Sequence, residues 1–260
     1  FKIDFGVTSA LNFEQRLTEG PILGDGAMGT ELLNRGKINV NACLEETNLT
    51  SPKMVLETHL DYIKAGAEII ETNTFGANRF RLGQHGLENE VVKINSKAVE
   101  IAKEARRMTG QHIWIAGTVG PSGKTLIPVG TISNNQIREA FREQIQALSS
   151  SGIDLLILET FTGIREIQEA IASAKSITDI PIIALLTFTQ EATTLEGETP
   201  REVVSELTNL GVASIGANCS VGPAPMIRVL EEMATYTDVP LTAMPNAGFP
   251  TYIDGRFIYM

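Results

Sequence analysis

Residues Ser214 to Pro223 read SIGANCSVGP: a run of small and apolar residues stops at Asn218, a thiol follows at Cys219, and Gly222-Pro223 makes a turn. Read as a buried parallel strand, this stretch leaves Cys219 at the carboxyl end, where α/β folds place their chemistry, in the mouth outside the strand ends. A cysteine there is a nucleophile or a soft metal ligand, and its neighbours decide which. The alternative is an inert packed thiol, since free cysteines are among the most buried residues.

Working outward, similar strands are predicted at Ile22-Leu23, AEIIETNTF (67–75), HIWIAGTVG (112–120), LLILETF (155–161), PIIALLTF (181–188) and VPLTAMPNAG (239–248). Helices alternate with them. One starts at Ser51-Pro52, carries Val55, Leu56, Leu60 and Ile63, and stops at Gly66. Another spans Val91 to Met108 on a stripe of Ile94, Ala98, Ile101 and Ala105. Ser133 caps a third, and others lie over Ile164–Ile171, Pro200–Leu210 and Met226–Met233. Between the glycine-rich turn after Leu23 and Ser51 a loop is expected. Strands that are almost wholly apolar suit a parallel sheet covered on both faces. Seven alternations without a composition break predict an α/β protein, a (β/α)8 TIM barrel with its eighth strand–helix unit absent. Residues 1–260 are read as one barrel domain truncated at its C-terminus, with 1–20 a lead-in carrying a short helix at Phe13, Arg16 and Leu17. The chain opens on Phe1 and closes on Phe257 to Met260, and both ends read as cuts.

The 260 residues are 43% hydrophobic and 20% charged, with a net charge of −10. That balance argues against nucleic acid or an anionic membrane as partner. No apolar run reaches the roughly 18 residues of a membrane span. Two cysteines, Cys43 and Cys219, make no disulfide framework, so a reducing compartment, the cytoplasm, is expected.

In a barrel the strand ends share one mouth, bringing together Asp25, Glu71 to Phe75, Gly117 to Gly120, Glu159, Thr187, Cys219 and Asn246. Gly24-Asp25-Gly26-Ala27-Met28-Gly29 fits a dinucleotide fingerprint, which would make the chain a nucleotide-dependent oxidoreductase. Against that, Asp25 lies where pyrophosphate belongs and the helix that should follow is poorly supported. The turn alternatively needs glycines for tightness, or lets bare N–H groups meet a small carboxylate while Asp25 holds a cation. Glu159 either points into the mouth or caps the next helix at Gly163. An unpaired carboxylate there needs a cation or a donor. Asp25 and Glu159 could hold a substrate ammonium, Glu71 is an equal candidate by position, and a structural ion pair with a basic side chain is the alternative. His59, His85 and His112 lack metal-ligand spacing, Cys43 has no partners, and the methionines read as core.

GDGAMGTELL (24–33), ETNTFGANR (71–79), GPSG (120–123), LLILETF, GANCSVGP and MPNAG, in this order, resemble the homocysteine S-methyltransferase family over residues from about Pro21 onward. The resemblance implies a barrel that binds homocysteine and zinc and methylates the substrate to methionine. Cys219, in an Asn-Cys motif, matches one of three zinc thiolates. The other two belong to a Gly-Gly-Cys-Cys-Gly motif absent from this chain, so the chain alone is expected to be inactive. Asn246 matches a residue able to occupy the open position of zinc when substrate is absent. Asp25 and Glu159 match the ammonium-binding pair, and Gly26 and Ala27 the N–H groups that hold the substrate carboxylate. Cys219, Asp25 and Glu159 are thus the expected catalytic set. The resemblance leaves the methyl donor open among methylcobalamin, methyltetrahydrofolate, betaine and S-methylmethionine, delivered as a small molecule or by a donor module. A non-catalytic homocysteine-binding scaffold is the alternative of a different class.

Overall fold

A computed structural model describes residues 12–36, 38–248, 250–253 and 256–259. The first eleven residues of the lead-in and Met260 lie outside the described residues, and with them the reading of both chain ends.

The helices are α1 (Phe13–Leu17), α2 (Met28–Gly36), α3 (Thr47–Thr50), α4 (Pro52–Lys64), α5 (Arg79–Leu82), α6 (Val91–Thr109), α7 (Asn134–Ser150), α8 (Ile164–Lys175), α9 (Pro200–Thr208) and α10 (Pro223–Ala234). The strands are β1 (Ile69–Glu71), β2 (Trp114–Val119), β3 (Leu155–Phe161), β4 (Ile182–Leu186), β5 (Ser214–Asn218), β6 (Leu241–Met244), β7 (Pro250–Ile253) and β8 (Arg256–Tyr259).

Strands β1 to β6 form one parallel sheet whose spatial order is the sequence order. Each crossover moves one strand in the same direction, which winds the sheet toward a barrel. The described residues form a curled half-barrel of six strands, and a closed eight-unit barrel is not present among them. Ile22-Leu23, expected as a strand, contributes only a parallel bridge from Gly24 to Ile69 on the far side of β1. Chain direction supplies a second departure: β7 and β8 pair antiparallel as a separate hairpin. Its signal is in the sequence, where Asp254-Gly255 separates two short runs rich in β-branched and aromatic residues.

Period-2 alternation divides each strand between two cores. Ile69, Trp114, Ala116, Leu155, Ile157, Ile183 and Leu185 face inward and pack together. Ile70, Ile115, Leu156, Leu158, Ile182, Ala184 and Leu186 lie under the helices. At the amino ends of the strands α1 plugs the inner core, Phe13 meeting Trp114 edge-on at 5.8 Å. Arg16 fastens this plug by two bonds to Glu68, 2.9 and 3.1 Å.

The expected loop between Leu23 and Ser51 holds α2 and α3. Its pattern is too short and polar to read as helix alone, but Leu32 is fully buried against Val55 and Ile101, and that packing overrides propensity. Elsewhere local chemistry is as the sequence suggests: Ser133 closes a capping box with Gln136, and Thr199 one with Glu202. Ser51 precedes Pro52 but makes no side-chain cap. The methionines divide: Met226 and Met233 are core, whereas Met108 is exposed. No described helix is long and apolar enough to cross a membrane.

Candidate functional site at the carboxyl ends of the strands

The mouth is built by three departures from regular backbone. Between Leu158 and Phe161 the register slips against β4, two residues on β3, Glu159 and Thr160, facing the single Leu185 between Ala184 and Leu186. This bulge holds Thr160 at φ 62° and re-aims the adjacent Glu159. Beyond β5, Cys219 and Ser220 both adopt left-handed backbone, φ 56° and 59°, a conformation costing on the order of 1–3 kcal/mol per residue. The turn is held to the end of β6: Cys219 N–H donates to Met244 O at 3.0 Å and Asn246 N–H to Val221 O at 3.1 Å. Before α2, Tyr62 from α4 donates to Ala27 O at 3.1 Å and packs so closely that a Cβ on Gly26 would lie 2.9 Å from its ring. Gly26 is therefore required by close approach. Among the described residues, neither Gly26 nor Ala27 N–H, at the amino end of a nine-residue helix, has an acceptor.

Asn218 joins β3 to the thiol. Its Oδ1 accepts from Thr160 N–H at 2.8 Å, and its Nδ2 donates to Glu159 Oε2 at 2.9 Å and Thr160 Oγ1 at 2.8 Å. The same Nδ2 lies 3.5 Å from Cys219 Sγ, and Thr160 Oγ1 lies 3.8 Å from it. Cys219 is half-buried beside these groups rather than packed into a core. On the other side, Asp25 Oδ2 accepts from Glu71 N–H at 2.9 Å, and Glu71 Oε2 accepts from Thr118 Oγ1 at 2.9 Å. Asp25 Oδ1 is buried and has no described partner.

Three carboxyls thus face one another across the mouth. Burial, then the charge of Glu71, holds the Asp25 carboxyl well above the usual range. Burial raises Glu71 to about 7. Glu159 is raised well above the usual range by burial, then by Glu71 and Asp25. No described Lys or Arg pairs with any of the three, so the structural ion-pair alternative for Glu159 finds no partner among the described residues. Nor does Glu159 cap α8: Glu198 accepts from Ile164 N–H. Burial, followed by the charge of Glu159, also raises the Cys219 thiol, which is therefore neutral near pH 7 and a poor nucleophile. Such a cluster calls for a cation.

The sheet order disposes of the dinucleotide reading. The helix it requires is present as α2, contrary to expectation, but a sheet running β1 to β6 in sequence has no switch point, and Asp25 is aimed into the acidic mouth. Elsewhere, His59 is buried in α4, His112 meets Trp114 edge-on at 4.7 Å, and Cys43 is buried against Glu45 with its thiol raised to about 12. Among the described residues no three His, Cys, Asp or Glu side chains are placed to hold a metal ion. Cys219 is the single thiol at the mouth, so the described donors do not fit a three-thiolate zinc site by themselves. Thr118, Thr160, Asn218 and Tyr62 were given no role of their own from sequence, although Thr118 was placed at the mouth and Asn218 stood beside Cys219 at the strand end.

The chain is 30% identical over 247 residues to a methionine synthase of Mycobacterium tuberculosis, and 30% over 252 residues to one of Mycobacterium leprae. These matches cover 90% and 91% of this chain but 21% of each relative, so the chain spans about a fifth of their length. A crystal structure of the homocysteine methyltransferase MmuM from Escherichia coli, metallated form, superposes with a TM-score of 0.78 at 28% identity, covering 90% of this chain and 86% of that one. Its oxidized form gives 0.79 at 27%, covering 91% and 87%. The homocysteine S-methyltransferase family model matches residues 22–259, and the chain belongs to that family.

Proposed function

We propose that this chain binds homocysteine at the strand-end mouth and methylates its sulfur to give methionine. The carrying observation is that Asn218 donates to Glu159 and lies 3.5 Å from Cys219, with Asp25 near enough to raise Glu159 by its charge. The substrate ammonium lies between Asp25 and Glu159, which lack any described counter-ion. The substrate carboxylate takes the N–H groups of Gly26 and Ala27, where the α2 dipole favours an anion. With both ends of the amino-acid head fixed, the side chain extends toward Cys219 and Asn246. Methyl transfer then forms a sulfur–carbon bond while the bond from methyl to donor breaks, the donor leaving with the electron pair. The substrate thiol must first lose its proton, because a free thiol near 8.5 is only a few per cent ionised at pH 7. Cys219 is not the attacking group; the substrate sulfur is.

Zinc dependence, with Cys219 as one ligand and Asn246 beside the open position, belongs to this reading. The described residues offer zinc one thiol, that of Cys219. A second reading is a barrel that binds homocysteine without turning it over, which absence of zinc from the full-length protein would favour. Methylcobalamin, methyltetrahydrofolate, betaine and S-methylmethionine, each supplied with homocysteine to the full-length protein, separate the two. Methionine from any donor establishes transfer; calorimetric binding without product with all four leaves the scaffold; neither binding nor product overturns both.

A further inference from the structure

We propose that Glu71 is the third wall of an ammonium cradle shared with Asp25 and Glu159, and that this cradle selects a primary amine. The inference rests on the homocysteine reading above and adds a specificity-determining residue to it.

Each of the three carboxylates is tied to the framework through one oxygen only. Glu71 N–H holds Asp25 Oδ2, the Thr118 hydroxyl holds Glu71 Oε2, and the Asn218 amide holds Glu159 Oε2, all at 2.9 Å. The remaining oxygens, Asp25 Oδ1, Glu71 Oε1 and Glu159 Oε1, accept no hydrogen bond from a described residue. Asp25 Oδ1 is also sealed from solvent. Leaving a buried acceptor unpaired costs about 1–3 kcal/mol, and more when it is charged, so this atom marks where a donor arrives with the ligand.

The tethers come from three elements: β1 through the backbone of Glu71, β2 through Thr118, and β5 through Asn218. They fix the carboxylates from different sides instead of letting them relax apart. A primary ammonium carries three N–H donors and no acceptor. Three free carboxylate oxygens match it one to one. A secondary ammonium brings two N–H groups and a methyl, and the third oxygen would then face carbon. Sites built to hydrogen-bond a group reject analogues that lack it far more strongly than apolar pockets reject a change of size.

The test uses the full-length enzyme with its methyl donor and compares homocysteine with N-methylhomocysteine for wild type, Glu71→Gln and Glu71→Ala. Wild type is expected to prefer homocysteine by at least about 100-fold in kcat/KM. Glu71→Ala should raise the homocysteine KM about tenfold or more, leave kcat within about threefold, and narrow the preference at least tenfold. Glu71→Gln keeps the shape and an acceptor oxygen, so its KM should fall between the two. If Glu71→Ala loses its circular dichroism spectrum, Glu71→Gln alone decides. Wild-type KM and preference retained in the folded variants would overturn the cradle while leaving the homocysteine reading intact. Absence of homocysteine turnover and binding in wild type would remove both.

Discussion

The backbone N–H of Glu71 donates to Asp25 Oδ2 at 2.9 Å, so one residue fixes the first carboxylate of the mouth and supplies the second. The contact is possible because Gly24 bridges to Ile69, which sets Asp25 alongside the end of β1. Burial and the neighbouring charge of Glu71 then raise Asp25. On the homocysteine reading, the substrate ammonium would offset this repulsion.

Replacing Asp25 with Asn should raise the homocysteine KM by about 10- to 100-fold with little change in kcat, since the lost charge acts on the ground-state ammonium and the transition state alike. Asn retains an acceptor for Glu71 N–H. The fold should therefore survive, and thermal unfolding of the ligand-free variant should occur no lower than in wild type. Steady-state kinetics beside a melting curve checks both; a collapse of kcat with KM unchanged contradicts the assignment.

For Glu71, whose folded value of about 7 stands above the ordinary 4.5, the folded state retains the proton more tightly than the unfolded chain. Its stabilising contribution is complete below about 4.5 and is lost as pH rises through 7. Glu71→Gln, permanently neutral, should thus melt higher than wild type at pH 8 and lose that advantage below pH 4.5. Melting curves across pH 4 to 8.5 without substrate read this directly, and parallel curves for the two proteins would refute it.

Much of the fold was legible because parallel strands covered on both faces must be apolar, and the longer helices announce a stripe or a cap, as at Ser133. The first strand was not, because Ile22-Leu23 satisfies the apolar pattern yet pairs only at Gly24. Nor was α2, whose existence depends on burying Leu32 against residues far along the chain. For the site, strand-end position identified Asp25, Glu71, Glu159 and Cys219 as neighbours. Spacing could not reveal the bulge that re-aims Glu159, because a bulge depends on the partner strand's register. Asn218 was passed over for a similar reason: its role lies in bonds to a residue 58 positions away.

Asn218→Ala should damage both stability and activity. Thr160 N–H, Glu159 Oε2 and Thr160 Oγ1 all lose their partner. Stripping such buried bonds costs about 1–3 kcal/mol, read as a lower urea midpoint at unchanged slope. Freed of its tether, Glu159 should bind homocysteine less well, so kcat/KM falls as well. Asn218→Asp should fare worse at pH 8 than at pH 5, because it sets a fourth carboxylate against Glu159. Equal stability of the two variants at both pH values would show that Asn218 does not act through Glu159.

His59 supplies a pH response of opposite sign. It is fully buried in α4, neither ring nitrogen has a described partner, and burial lowers its value from 6.5 to about 4. A depressed histidine favours the folded state above the unfolded value, and that stability is lost as pH falls from about 6.5 through 4. The interval corresponds to about 3 kcal/mol at full protonation of the unfolded chain. Over the same range the mouth carboxyls gain stability on acidification, so wild type alone would mix the two trends. The difference between wild type and His59→Leu isolates the histidine: the leucine variant should gain on wild type by up to about 3 kcal/mol from pH 7 to pH 4 in denaturant titrations. A flat difference curve would mean that His59 reaches solvent or a hydrogen-bond partner, and would reassign it from the helix interface to a polar network.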